Sequence, residues 1–367
     1  MIKVNIFGDI FNSSGYAIHT REFSNALNKI KDIEVSLNTN LMQNWIRFVN
    51  DEELKMIKRN SDDSDINLLI GLPPQWQYYL CEDKPTIGFF VWEGDKVPIS
   101  FIEIFKNKNL KQIWMPSTHV KDAILNTTKD KEIIDKIKIV SHGVNKNLFY
   151  KKLNKEKNNK FTFLIDKGYR NEFDRGGIQF LVRSFLEEFS SKDNVELLIK
   201  INPVYGVNQI QNLIGKYSKK IDENKKYAYI KINEEMLPYE KLVEIYNSGD
   251  VFCITSMAEA FHLGGLQAIS CGLPVMYTNF GGQTDYLNND IGWELKKNKP
   301  IKVDWDVLYE EISWKVPDIK EIREKLRYIY EHQTEVETKS KKALIQSNNW
   351  TWNLSADKAY KYIKELI

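Results

Sequence analysis

The stretch from Asp250 to Asp285, DVFCITSMAEAFHLGGLQAISCGLPVMYTNFGGQTD, constrains the fold more than any other part of the chain. Val251 to Thr255 is a short apolar run with the length and composition of a buried strand. Ser256 to His262 reads as a polar, irregular loop. Gly264-Gly265 then lead into a helix-forming segment, Leu266 to Cys271, whose end is marked by Gly272 and Pro274. Val275 to Thr278 predicts the next strand, and Gly281-Gly282 a further turn into a helix. A strand–loop–helix–strand unit of this kind belongs to a parallel α/β sheet, whose loops at the carboxyl ends of strands are where such sheets bind ligands. Two glycines at a helix start let the backbone approach a ligand, and the unpaired N–H groups there point at anions. Glu259 ahead of that start and Gln267 inside the helix are placed to face one ligand.

The same alternation runs along the whole chain. Lys3 to Phe7 predicts a first strand, with a Gly/Ser loop over 8–15 and an amphipathic helix over 16–30. A strand, a Gly/Ser loop and a helix in that order can hold a phosphate, but G-x-G-x-x-G is missing, which argues against a dinucleotide site. His19, just past that loop, reads as a surface or capping residue before it reads as a catalyst. Further buried-strand patterns cover 65–71, 86–92, 112–117 and 136–144, and the strand and glycine turn explain His142 structurally. Lys151 to Lys160, KKLNKEKNNK, is polar, aperiodic and rich in like charges, as a linker is. Beyond it, Phe161 to Ile165 starts a second strand series, with a loop over 166–177 and a helix over 178–189. Strands over 196–201 and 227–232 and a helix over 239–248 follow.

At 367 residues the chain has the length for two domains of roughly 150 residues each. Lysine and arginine total 52 against 50 acids, a net of +2 that gives no footing for a polyanion and argues against nucleic acid. The 9 Trp and 18 Tyr suit stacking on sugars or bases as well as core filling. Cys81, Cys253 and Cys271 are odd in number and widely spaced, without C-x-x-C, so neither a disulfide framework nor a zinc site is expected. No run of about 18 apolar residues appears and the amino terminus lacks a signal pattern, so a cytoplasmic protein is the expectation. Asp304-Trp305-Asp306 is an isolated D-x-D in a surface-loop context and is not read as a metal motif.

The block E-A-F-H-L-G-G-L-Q-A-I-S-C-G-L-P-V resembles the E-x7-E block of retaining glycosyltransferases of family 4, which have the GT-B fold. It departs from that block at Gln267, where the family carries its second glutamate. The likeness continues through Gly281, Gly282 and Asp285, and is found again at 161–189, 312–330 and 349–356, the last two resembling carboxyl-terminal helices. It implies two Rossmann-like doubly wound α/β domains facing a cleft. The acceptor-side domain would span 1–157 and the nucleotide-sugar domain 158–345, with a helix over 346–367 crossing back to the first. Arg170 and Arg175 would face the donor's diphosphate, with Lys200 as a further phosphate contact. Glu259 would meet the sugar, and Gln267 the ribose. Gly15, Ile232, Phe261, His262, Leu263, Gly264 and Gly265 would complete the donor site, and Glu93 would be an acceptor-side carboxylate.

By that resemblance the chain moves a hexose from a UDP- or GDP-sugar to a glycan, lipid-linked or protein acceptor. Retention at the anomeric carbon, no cofactor and no protein-bound metal are part of the same expectation. Peripheral attachment at the inner face of a membrane and the oligomeric state stay open. Two rival readings are a nucleotide-sugar epimerase of similar architecture and, because of Gln267, an inactive partner subunit of a transferase. Restoring glutamate at 267 is expected to tighten donor binding.

Overall fold

The structure is a computed structural model and describes residues 1–39, 49–80, 83–152, 159–201, 207–222, 224–303, 307–309 and 311–367. The chain divides into two compact units, one of Met1–Asn145, Lys302–Ser313 and Trp350–Ile367, the other of Lys146–Ile301 and Trp314–Asn349. Cys81, the D-x-D at 304–306 and the expected boundary at 157/158 lie outside the described residues.

In the first unit the strands are β1 (Ile2–Phe7), β2 (Ile33–Asn38), β3 (Ile66–Ile70), β4 (Thr86–Phe89), β5 (Leu110–Met115) and β6 (Ile137–Ile139). They lie in the order β2-β1-β3-β4-β5-β6, every pair parallel. The helix Gly15–Leu27 starts where Ser14 accepts a hydrogen bond from the Ala17 N–H, the expected cap chemistry. It buries His19 and Phe23 against Phe89, His142 and Trp352. His19 is therefore a core residue at 1% exposure, not a surface or capping one. Helix Trp352–Lys364 supplies Trp352 to this core.

The second unit holds β7 (Phe161–Asp166), β8 (Val195–Lys200), β9 (Tyr229–Asn233), β10 (Val251–Ile254), β11 (Val275–Thr278) and β12 (Gly292–Leu295). Their order is β12-β11-β10-β7-β8-β9, again with all pairs parallel. Parallel sheets are covered on both faces, which is why β10 and β11 read as unbroken buried runs without alternation. Leu181, Val182 and Phe185 of helix Ile178–Glu188, with Leu326 and Ile329 of helix Ile319–Glu331, cover Phe163, Ile165, Leu197 and Ile199. Each such side chain contributes about 1.5–3 kcal/mol by leaving water. Cys253 and Cys271 are buried and free, packing as small apolar groups.

Three local expectations are corrected. The stretch 312–317 is not helical, since Ser313–Pro317 is a strand and the helix begins at Ile319 behind the cap of Asp318. Residues 146–152 pack with the second unit, where the Phe149 carbonyl accepts from Ser270 Oγ at 2.6 Å and the Tyr150 carbonyl from Asn247 Nδ2 at 2.9 Å. The helix after β10 starts at Leu263, three residues ahead of the apolar run, because His262 caps it.

Candidate functional site

In the second unit the strand order reverses between β7 and β10, the switch point at whose carboxyl edge open α/β sheets bind ligands. Two loops meet there, 167–177 after β7 and 255–262 after β10. The second is irregular, as expected, but it is not a polar surface loop: every residue from Thr255 to His262 is buried. Its polar groups are paired inward, as burial requires. Met257 N–H donates to the Arg175 carbonyl at 2.8 Å, and Ser256 Oγ to that of Gly176 at 3.2 Å. Thr278 Oγ1 donates to the Ser256 carbonyl, Gly282 N–H to that of Glu259 and Tyr286 Oη to that of His262.

Gly177 joins the two loops at φ 73°, with a Cβ placed there lying 1.9 Å from the Thr255 carbonyl oxygen. No other residue fits that approach. Gly281, at φ 97°, packs in the same way against the Glu259 carbonyl.

Glu259 lies at the centre, 6% exposed. Lys167 Nζ donates to its Oε1 at 2.5 Å, and Arg175 Nη1 lies 3.2 Å from its Oε2. Arg175 also donates from Nη1 to the Ala258 carbonyl at 2.6 Å, so the guanidinium is locked to the loop it serves. Burial acts to raise the Glu259 carboxyl, but the adjacent Lys167 and Arg175 charges outweigh it and hold the group well below the usual carboxylate range. Glu259 is thus ionised at neutral pH, with each oxygen already facing a cation. It is unsuited to proton transfer and well suited to fixing two positive groups.

Lys167 is the residue that reading the sequence missed. The signal was its place directly after a strand beside Gly168, but Arg170, with its family-like spacing, drew the assignment. Arg170 is exposed, and its backbone N–H donates to Asp174 Oδ2 at 2.9 Å. No described contact brings its side chain to Glu259, whereas Lys167 and Arg175 both reach it.

His262 sits at φ 70° and caps the helix Leu263–Ser270, its Nδ1 accepting from the Gly265 N–H at 2.9 Å. That bond assigns the ring proton to Nε2, which is buried without a hydrogen-bond partner among the described residues. Burial, with the Lys167 charge acting in the same direction, pushes the imidazole down to about 3. A neutral N–H donor therefore waits beside the Glu259 cluster. The glycines that follow have internal reasons as well: a Cβ at Gly264 would meet Tyr246 Oη at 3.1 Å, and one at Gly265 would meet Tyr286 Oη at 2.5 Å. Phe261 packs at a tilt against Tyr286 with ring centroids 5.1 Å apart, as core packing.

Gln267 is buried, its Oε1 accepting from Tyr246 Oη at 3.1 Å and its Nε2 donating to Tyr239 Oη at 3.0 Å. Lys200 is 4% exposed at the end of β8, its amine donating to the Ile201 and Glu235 carbonyls at 2.9 and 3.0 Å. Ile232 is half-buried in β9, the edge strand of the sheet. In the first unit, Gly15 opens its helix with nothing within 4 Å of a Cβ placed on it, so no internal neighbour demands glycine there. Glu93 follows β4, and its carbonyl lies 3.0 Å from His119 Nε2.

Comparison with known proteins places this geometry. Residues 184–343 match the family Glycosyl transferases group 1, a stretch that lies mostly in the second unit. A probable sucrose-phosphate synthase of Thermosipho melanesiensis is 30% identical over 167 residues, covering 43% of this chain and 36% of that protein, so the match spans about a third of the relative's length. Sucrose-phosphate synthase from Thermosynechococcus elongatus superposes with a TM-score of 0.73 at 14% identity, over 100% of this chain and 99% of that one. Anabaena Alr3699/HepE, solved in complex with UDP-glucose, gives 0.70 at 12% identity over 100% of both. The two doubly wound units are therefore those of the GT-B fold. No described helix is long and apolar enough to cross a membrane.

Proposed function

We propose that this chain is a retaining glycosyltransferase of the family-4 kind. It moves a hexose from a UDP- or GDP-sugar to a glycan, lipid-linked or protein acceptor in the cytoplasm. The observation that carries the reading is the Lys167–Glu259–Arg175 cluster at the β7/β10 switch point, in the unit that holds most of the group 1 match. When the bond from sugar to phosphate breaks, negative charge grows on the departing diphosphate. Lys167 and Arg175, already fixed by Glu259, neutralise it without reorganising, and preorganised groups of this kind contribute about 10²–10³ in rate each. Arginine adds a planar fork for phosphate oxygens, and the helix start at Gly264-Gly265 adds its dipole.

Glu259 keeps the two cations in place, and its charge favours positive charge developing at the anomeric carbon. His262 donates from Nε2 to a sugar hydroxyl or phosphate oxygen. Lys200 is already held by two carbonyls, so Lys167 takes the phosphate role first assigned to it. Gly15 serves the donor, Ile232 meets the base through its backbone, and Glu93 serves the acceptor.

Since two cations face the leaving group, no protein-bound metal is required. The test is a panel of nucleotide sugars with candidate acceptors, starting from UDP-glucose, the ligand of the Anabaena protein. Diphosphate release that needs an acceptor, survives chelation and gives a product of retained anomeric configuration is the expected result. Release or sugar isomerisation without acceptor overturns the transferase reading, and loss on chelation restored by manganese overturns the metal-free mechanism.

A further inference from the structure

Asp166, Tyr246, Gln267 and Tyr239 form a hydrogen-bonded polar chain whose middle members, Tyr246 and Gln267, are buried and whose ends, Asp166 and Tyr239, are half-buried. Tyr246 Oη lies 3.2 Å from Asp166 Oδ2 and 3.1 Å from Gln267 Oε1, and Gln267 Nε2 donates onward to Tyr239 Oη at 3.0 Å. Tyr246 is fully buried between Phe149 and Phe252. Its hydroxyl owns one proton and faces two acceptors.

Two proton arrangements satisfy every member from within the chain. If Asp166 keeps its proton, it donates to Tyr246, which donates to Gln267, whose amide donates to Tyr239. If Asp166 is ionised, it takes the Tyr246 proton, and the amide turns so that Nε2 meets Tyr246 and Oε1 accepts from Tyr239. An amide, both donor and acceptor, serves in either case. An ionised glutamate at 267 is an acceptor only, and it would leave two carboxylates on one hydroxyl with a single proton between them.

The other charged groups around Asp166 do not relieve this. Lys200 is its register partner on β8, but the amine is bound to the Ile201 and Glu235 carbonyls. Lys167, the next residue in the chain, is bound to Glu259. Burial already raises the Asp166 carboxyl, against the opposing pull of Lys200, the Tyr246 hydrogen bond and Lys167.

We propose that positions 166 and 267 form one unit through Tyr246 that accepts a single acid, with Asp166 the positioning residue that sets which face Gln267 presents to the nucleoside of the donor. Gln267 is then an adaptation to Asp166 and not a loss of function. The donor part of this inference rests on the function proposed above. It reverses the expectation that glutamate at 267 tightens binding.

Four full-length proteins test it: the parent, Asp166→Asn, Gln267→Glu and the double variant. Binding of UDP and of GDP is measured by calorimetry between pH 6 and 8.5, and melting is measured without ligand. Gln267→Glu should bind the preferred nucleotide about tenfold more weakly and melt about 5 °C lower, as a buried unpaired charge would cause. Its deficit should grow with pH as the shared proton is lost, which a packing defect alone would not do. Asp166→Asn should also weaken binding, while the double variant, with one acid restored, recovers to within about twofold of the parent. Additive losses in the double variant, or a Gln267→Glu protein that binds at least as tightly as the parent, overturn the proposal. If the parent binds neither nucleotide, the donor reading fails by itself. The ligand-free melting cycle then still decides whether the two positions share one acid.

Discussion

Replacing Glu259 by glutamine removes one negative charge and little volume, and it separates the two tasks assigned to that side chain. In the parent the carboxylate is 7% exposed and pairs with Lys167 at 2.5 Å and Arg175 at 3.2 Å, whose side chains are 19% and 30% exposed. Breaking a buried pair by removing one partner costs about 3–5 kcal/mol, and the partial exposure of both cations argues for the lower end, about 3 kcal/mol. For a unit of this size that corresponds to a melting temperature lower by about 6–12 °C.

The pH dependence has a definite sign. The folded carboxyl is depressed below its unfolded value, so its stabilisation is complete above the ordinary carboxylate range and is lost as pH falls below about 4.3. The melting gap between parent and variant should therefore be constant from neutral pH down to about pH 5 and narrow below it.

Catalysis should move differently from binding. The two cations, freed from their counter-charge, should hold a nucleoside diphosphate at least as tightly as before, while turnover falls by about 10²-fold because their placement is lost. Calorimetric titration with nucleoside diphosphate, steady-state rates and thermal melts across pH read all three quantities. A variant that melts within about 1 °C of the parent and turns over like it would refute the clamp.

Three further outcomes follow from the same geometry. Arg175→Ala should weaken nucleoside diphosphate binding by about tenfold or more, whereas Arg170→Ala should change it by less than about twofold; titration of both decides which arginine faces the phosphates. Gly177→Ala should destabilise the second unit by about 3 kcal/mol or more, since a Cβ would lie 1.9 Å from the Thr255 carbonyl at a φ of 73°. A urea melt indistinguishable from the parent's would show that the loops are not joined there. In the first unit, burial pushes His142 down to about 3 and His19 well below its ordinary value. Their stabilisation is complete above the unfolded value of about 6.5 and is lost as pH falls from there toward 3. His142→Phe should flatten that limb of a melting profile taken between pH 7.5 and 5, and an unchanged slope would place the acid sensitivity elsewhere.

What the sequence decided by itself is local. Apolar runs such as Val251–Ile254 and Val275–Thr278 must be strands, because only a sheet covered on both faces buries every side chain of a short run. Glycine and proline placed the turns after them, and the alternation of strands with helices required doubly wound α/β units. Glu259 and Gln267 were legible as neighbours on one loop and helix. Their partners were not, because those partners come from afar in the chain. Lys167 reaches Glu259 across 92 positions, and Tyr246 stands between Gln267 and Asp166, 21 positions from one and 80 from the other. The place of Lys167 directly after β7 was the one local cue, and it was easily passed over because Lys167 and Arg170 are both cations in one polar loop. In the fold it is Lys167 whose amine meets the carboxylate, 2.5 Å from Glu259 Oε1. His19 carried the same lesson: a helix position beside a Gly/Ser loop looks exposed until Phe89, His142 and Trp352 close over it. Strand and helix patterns are set by what a few adjacent side chains do with water. The charge and proton balance of the site is set by which distant groups the second unit's sheet brings within hydrogen-bond reach, and only the tertiary structure supplies that.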